Sequence, residues 1–593
     1  MRGASAFLAL GFLALALAGC VTSPDVDGAA AAAEVRGLEA LSAVRFATSP
    51  GQSVFYEAST DGVSLHLRLW LPVAAADNDS APADWKAPAI LVMSPYFGPD
   101  SREHNDQTDP SSWDAADRPA YWRYQWLIDH FVPRGYAVAL ADVRGTGESG
   151  GCLEQTAQAQ SQDGFDTVEW LAAQDWSNGK VGMYGKSYDA ETQQSTATLA
   201  PPHLTTIVPV SSVSGQYEYS FYDGVPYTAE HLLSNTGYVA GDGLQPGTTQ
   251  ESATATPERA GCNADHYEQT ADESGSWSDY WDAREIRKGV ANVQASVLYV
   301  HGLQDWNVKP VAIRDWYDLL SSPKTAIFGQ WAHDYPEQNT YHSEWSRQDW
   351  QELVWRWYDH WLLERPDPAV EALLGHAQIQ DNLGRWRLAD TLPSVNVTTE
   401  TFYLVDDKLS LEAGEVTATW REPVDARASQ TARWLMADGV PYRPTNVVFT
   451  SLLMTEDLHW SGWPTLDMTV TLDRDDAHFV ALLHDEAPDG TRTWINRAYL
   501  SAQHRDGVEA GVKPVPMGEA VDYQLRFFPS DTVIAAGHKL VLELTPYDDW
   551  ATPANTAYTA KLSAGALHVP RVQVAPEAWL DVPLGEPITA PVV

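Results

Sequence analysis

A serine between a strand and a helix, with an aspartate and a histidine each following a later strand, has the residue types needed for nucleophilic acyl transfer. The serine is Ser187, in Val181-Gly-Met-Tyr-Gly-Lys-Ser-Tyr188. An apolar strand runs into Gly185-Lys186-Ser187, and Glu191 to Leu199 reads as helix. A serine on such a turn projects its hydroxyl over the C-terminal edge of a parallel sheet, with backbone N–H groups facing the carbonyl it would attack. Gly185 suits a place where strand and helix backbones approach too closely for a side chain. Asp305, between Leu303 and Trp306, follows the strand 295–301, and His333 follows the strand 325–328. The chain order Ser187, Asp305, His333 makes His333 the base and Asp305 its orienting acid. An oxyanion needs two donors. The backbone N–H of Tyr188 supplies one, and the phenol of Tyr96, in the loop Ser94-Pro-Tyr96, is the candidate for the other.

These residues need a sheet to hold them. Ala89-Ile-Leu-Val-Met93, Tyr136 to Ala141 and Ala295 to His301 are continuous apolar runs, as expected of strands buried on both faces. Helical spacing separates them, from Gly164 to Trp176 and from Asp349 to Leu363. Alternation of strand and helix predicts an α/β fold with a mainly parallel sheet over 41–213 and 289–366. The polar, tyrosine-rich segment 214–288 reads as a helical cap inserted over the sheet edge. Beyond Pro366-Asp-Pro368 the helices are expected to stop, and alternating segments such as Leu466 to Leu472 predict an all-β sandwich or jelly roll over 367–593. The glycine-rich Asp142-Val-Arg-Gly-Thr-Gly-Glu-Ser-Gly-Gly151 lacks the Gly-Lys-Ser/Thr ending of a phosphate-binding loop and reads as a structural turn beside the site.

Residues 1–19 carry one cation, Arg2, and an apolar run from Ala6 to Ala18, the pattern of a signal peptide. Leu17-Ala-Gly-Cys20 resembles the lipobox of prokaryotic lipoproteins. That resemblance implies a lipid on Cys20, a tether over 20–40, a membrane partner through the lipid, and a cell-envelope location outside the cytoplasm. A net charge of −42 argues against nucleic acid as a partner. The other cysteines, Cys152 and Cys262, lack metal-ligand spacing and could pair in an oxidising compartment. No metal or cofactor is expected.

Gly185-Lys-Ser-Tyr188, His301-Gly-Leu-Gln-Asp-Trp-Asn-Val-Lys-Pro310, the 142–151 motif and Ser94-Pro-Tyr96 resemble the Xaa-Pro dipeptidyl-peptidase family. That family also contains cocaine-esterase-like and α-amino-acid ester hydrolases. The resemblance covers nearly the whole mature chain. It implies an α/β hydrolase with a helical cap and a jelly-roll C-terminal domain, acting through an acyl-enzyme to remove Xaa-Pro dipeptides from peptide N-termini. It also implies Tyr96 as side-chain oxyanion donor and an acidic subsite for the substrate amine, for which the cap offers Glu218, Asp223 and Glu230. Two positions depart from the family pattern: Ala190 replaces a usual glycine, and Asp189 replaces a usual apolar residue. Hydrolysis of carboxylic esters, α-amino-acid esters or β-lactams is the alternative on this scaffold. An alternative of another class is a catalytically dead surface-binding lipoprotein.

Overall fold

The computed structural model describes residues 43–585 except 75–81, 83, 98–123, 228–271, 273, 393–396, 423–444, 547, 549, 552–553 and 555. The signal sequence, Cys20, the tether, Glu230 and Cys262 lie outside the described residues. Cys152 is disulfide-bonded.

Ten strands in chain order begin an 11-stranded sheet. They are β1 Gln52–Glu57, β2 Ser64–Trp70, β3 Ala87–Ser94, β4 Ala137–Asp142, β5 Ser177–Lys186, β6 Leu204–Val210, β7 Ser296–Gly302, β8 Lys324–Gly329, β9 Ala377–Gln380 and β10 Trp386–Ala389. They lie in the order β1-β2-β4-β3-β5-β6-β7-β8-β9-β10. β2 is antiparallel to β1 and to β4, and pairing from β4 through β9 is parallel. Every residue of β3, β4 and β7 is buried, as their unbroken apolar runs require. Edge strand β1 has no fully buried residue, and its side chains alternate between half-buried and exposed.

Helices α1 Gln125–Phe131, α2 Gln158–Ala172 and α3 Tyr188–Ala197 accompany the first half of the sheet. All ten residues of α3 are buried, although most are polar. A buried polar group must find a partner, and here the partners tie the helix to the sheet. Thr192 Oγ1 donates to Met93 O at 3.0 Å, Gln193 Oε1 accepts from Val208 N at 3.0 Å, and Gln216 Nε2 donates to Glu191 at 2.6 Å. Gly164 of α2 permits the close approach of the two helices, because a Cβ there would lie 1.8 Å from Thr196 Oγ1.

The cap is described at its base. Its described residues include α4 Gln216–Ser220, a hairpin of Phe221–Tyr222 with Val225–Pro226, and α5 Asp279–Asp282. Helix α6 Trp350–Leu362 packs its apolar stripe on the sheet, with Tyr358 donating to Met183 O at 2.9 Å.

Helices continue past Pro366, where they were expected to stop. Another helix, α7 Pro368–Leu373, is capped by the Asp367 carboxylate on Ala369 N at 2.9 Å. Strands β9 and β10 then extend the catalytic sheet. In the C-terminal half, β11 His478–Glu486 and β12 Arg492–Ser501 form a hairpin, and the long β13 Tyr558–Val572 pairs with four other strands of an all-β domain. The chain then returns to the first sheet with β14 Trp579–Leu580, antiparallel to β10. Residues so far apart in sequence share one sheet because β10 offers a free edge.

The loop 142–151 is tied to β2, to α2 and to itself, as expected of a structural turn. Asp142 accepts from His66 Nδ1 at 2.8 Å and from Glu148 N at 2.9 Å, while Arg144 makes a two-pronged bond to Asp163 of α2 at 2.5 and 2.6 Å.

Burial pushes the Glu191 carboxyl up to about 8, whereas an unfolded glutamate titrates near ~4.3. The folded state therefore binds the extra proton between those values, and the associated stability is full below the lower one and lost as pH rises through the upper. Thermal denaturation should show Tm falling from about pH 5 to about pH 9, with a shallower slope in Glu191→Gln. An unchanged slope in that variant would show that Glu191 is ionised in the folded protein.

Candidate active site

Ser187 sits at the C-terminal end of β5, Asp305 follows β7 and His333 follows β8. These strands are parallel members of one sheet, so all three residues lie along the same edge. Ser187 adopts φ 64° and ψ −128°, a strained conformation for a residue with a side chain. The strain is held by backbone bonds: Ser187 N donates to Val210 O at 3.0 Å, and Ser187 O accepts from Ala190 N at 2.8 Å and Glu191 N at 3.0 Å. Helix α3 starts at the next residue, so its N-terminal N–H groups and dipole point toward the serine.

Gly185 has φ 151°, and a Cβ there would lie 2.5 Å from Asp189 Cβ. Ala190 is fully buried and its methyl group is accommodated. Asp189 points into the core behind the turn, where it accepts a hydrogen bond from the Tyr124 hydroxyl. Burial and the Asp189 charge push the Tyr124 hydroxyl well above the ordinary tyrosine range, which keeps it a donor. The Asp189 carboxylate thus belongs to the support of the helix.

The structure brings Asp305 and His333 together, with Asp305 Oδ2 2.7 Å from His333 Nδ1. Asp305 is 0% exposed. Its Oδ1 accepts from Asn307 N at 3.1 Å and Val308 N at 2.8 Å. Burial works to raise this carboxyl, but His333, His301 and the Val308 N–H outweigh it and hold the group below the usual aspartate range. With the carboxylate on Nδ1, that nitrogen carries the proton and Nε2 is left as the basic atom. His301 supports the same loop: its Nε2 donates to Val308 O at 2.9 Å and its Nδ1 accepts from the Tyr299 hydroxyl at 2.9 Å. Burial lowers the His301 pKa, which favours the neutral ring this pattern needs.

Tyr96 is half-buried in the loop after β3, with its ring edge-on to Tyr188 at 6.4 Å. The hydroxyl of Tyr188 is turned away to Gln160 Oε1 at 2.7 Å, leaving its backbone N–H as the group at the start of α3. Glu218 and Asp223 lie at the cap base, and burial raises both carboxyl groups, Glu218 to about 7.

Sequence reasoning missed Lys186. Its Nζ donates to His333 O at 2.9 Å and lies 5.1 Å above the Tyr335 ring, linking the turn before the nucleophile to the histidine loop. The residue stood inside the quoted motif, but no sequence pattern announces a bond to a carbonyl so far along the chain. Gln330 was also missed: its Nε2 donates to Gln380 O at 2.9 Å and to Asp531 O at 3.2 Å, anchoring the histidine loop to β9 and to the C-terminal domain.

A strained serine heading a helix, on the same sheet edge as a carboxylate–imidazole pair, defines a hydrolase of the α/β type. Residues 61–335 match the model of the X-Pro dipeptidyl-peptidase S15 family, and 368–568 match that of the X-Pro dipeptidyl-peptidase C-terminal non-catalytic domain. The chain belongs to this family. A Bacillus anthracis relative with an Xaa-Pro dipeptidyl-peptidase name is 28% identical over 522 residues, 82% of each chain. The fold is shared with a CocE/NonD family hydrolase from Staphylococcus aureus, with TM-score 0.66, 17% identity and coverage of 89% of this chain and 93% of that one. It is shared too with an α-amino acid ester hydrolase, with TM-score 0.65, 19% identity and coverage of 88% and 96%.

A methyl group at position 185 must push Asp189 and the start of α3 away. Gly185→Ala should cost about 1–3 kcal/mol of stability and lower kcat by about 10²-fold through misplacement of Ser187. Thermal melting and steady-state kinetics check this; wild-type kcat in the variant would mean that the tight approach has no bearing on the serine.

Proposed function

We propose that the protein is a serine peptidase that removes Xaa-Pro dipeptides from peptide N-termini through an acyl-enzyme. The observation that carries this reading is that a single match to the S15 family spans Ser187, Asp305 and His333, the same residues that lie on one sheet edge with Asp305 and His333 hydrogen-bonded. In this mechanism His333 Nε2 takes the Ser187 proton as Oγ attacks the carbonyl carbon. The tetrahedral oxyanion is met by the Tyr188 N–H and the Tyr96 hydroxyl. Collapse expels the peptide amine, which takes its proton from His333, and water then cleaves the ester by the same route.

Removal of dipeptides requires recognition of a free α-ammonium group. Glu218 and Asp223 are candidate carboxylates for this task in the described cap base. Ionisation of Glu218 near pH 7 strengthens ammonium binding as pH rises, and loss of the ammonium proton near ~7.7–8.0 removes it. The kcat/KM profile for Gly-Pro anilide should therefore form a narrow bell, while that for an acetate ester should lack the alkaline fall. Ser187→Ala should lower kcat by about 10⁶-fold on both substrates. Equal cleavage of N-acetyl-Gly-Pro anilide and the free-amine substrate would sink the dipeptidase reading and favour a general acyl hydrolase.

We also propose that Cys20 carries a lipid that anchors the enzyme to a membrane outside the cytoplasm, a reading supported by Leu17-Ala-Gly-Cys20 after an apolar run. Cys20→Ser should leave activity intact and shift the protein from the membrane fraction to the soluble one. Wild-type protein that is already soluble, with an N-terminus elsewhere than residue 20, would refute this.

A further inference from the structure

Asp305 is followed directly by Trp306, and that side chain leaves the catalytic domain. Trp306 is 5% exposed and packs among residues of the C-terminal domain. Its ring meets Trp494 edge-on at 4.4 Å and stacks on Phe528 at 5.6 Å. Arg497, on the same hairpin strand β12 as Trp494, holds its guanidinium 4.8 Å from the Trp306 ring, 4.0 Å from Trp494 and 5.6 Å from Trp550.

Arg497 is buried, and its own position is well determined. Its Nη1 donates to Asp548 Oδ2 at 3.1 Å and to the Tyr499 hydroxyl at 3.3 Å. Asp548 is fixed in turn by Tyr499 at 2.7 Å and by the N–H groups of Trp550 and Ala551 at 2.9 and 3.0 Å. A planar guanidinium can stack on indoles and bond to a carboxylate at once, which neither an aliphatic side chain nor a freely rotating ammonium does equally well.

The other end of the aspartate loop reaches the same cluster. Lys309 Nζ donates to Tyr219 O at 2.8 Å and lies 4.0 Å over the Tyr227 ring, which stacks on Trp550 at 5.7 Å. Residues 305–309 are therefore gripped from both ends, with Arg497 at the centre of the grip. The carboxylate between them must meet His333 Nδ1 at 2.7 Å, and a shift of about 1 Å at such a point can cost about 10²-fold in rate.

We propose that Arg497 is a positioning residue for catalysis: it fixes Trp306, and through it the loop that presents Asp305 to His333. The domain described as non-catalytic in this family thus contributes to the rate of the chemical step. The inference rests on the assignment of Ser187, Asp305 and His333. That assignment is tested independently by fluorophosphonate labelling of the wild-type protein and its loss in Ser187→Ala.

The test uses the full-length enzyme with Gly-Pro anilide. Arg497→Met should lower kcat by about 10–100-fold with KM within about threefold. It should slow fluorophosphonate labelling of Ser187 by a similar factor, since both depend on the base. Arg497→Lys, which keeps the cation but not the planar guanidinium, should recover only part of the loss. Trp306→Leu should show a comparable fall, and the double variant little more, because the two residues act in series. A folded Arg497→Met with kcat within twofold of wild type would overturn the proposal, as would a change confined to KM or unaltered labelling. Should Arg497→Met fail to fold, Asp548→Asn gives the same reading. Its amide oxygen still accepts the Trp550 and Ala551 N–H groups but no longer carries the charge that holds the guanidinium. There a fall in kcat and labelling supports the proposal, and unchanged kinetics overturn it.

Discussion

Asp305 carries a negative charge with no solvent contact, a state that costs several kcal/mol per ion unless partners replace the lost water. The structure supplies them at close range: two backbone N–H groups of its own loop on Oδ1 and the His333 ring on Oδ2. Much of the catalytic half follows from this requirement. The loop must be tight enough to aim two amides at one oxygen, and His301 holds the Val308 carbonyl to keep it so. The histidine must come from the adjacent strand end, which parallel pairing of β7 and β8 provides.

The serine is held by a different device. Helix α3 has no solvent-facing side, and several of its polar side chains bond to the sheet, to Gln216 of α4, to Ser212 and to Tyr124. Each such bond is directional, and breaking one would leave a buried group unpaired at a cost of about 1–3 kcal/mol. The network resists sliding or rotation of the helix more effectively than apolar packing alone. It thereby offsets the strain of Ser187 at φ 64°.

The division between catalytic and β domains is less sharp than the change in secondary-structure type suggests. The parallel sheet gains β9 and β10 after His333 and β14 from near the C-terminus. Asp531 of the β domain is fully buried, bonded by Arg387 Nη2 at 2.5 Å and His459 Nε2 at 2.7 Å, and its carbonyl takes Gln330 of the histidine loop. With Trp306 packed against β12, both the aspartate and the histidine loops lean on the second domain. These contacts make the two halves a joint support for the site.

The sequence by itself determined the α/β class, the serine turn and the three strand-end residues, because each depends on local information. Apolar runs such as Ala89 to Met93 specify strands buried on both faces, and Gly185 before Ser187 marks a backbone approach that excludes a side chain. Chain order singled out Asp305 and His333, which the structure brings together, for the same reason: an α/β sheet delivers successive strand ends to one edge. Only the tertiary structure decided what those residues rest upon. Asp189 stands in sequence only as a departure from the family pattern, and in the structure it is a buried acceptor for Tyr124. Lys186 reaches the His333 carbonyl, and Trp306 enters a box built by Trp494, Arg497 and Phe528. The sheet itself ends far beyond the point where helical spacing stops. Such contacts join residues tens to hundreds of positions apart, and their geometry depends on strand register and side-chain direction across the assembled sheets, which no local periodicity encodes.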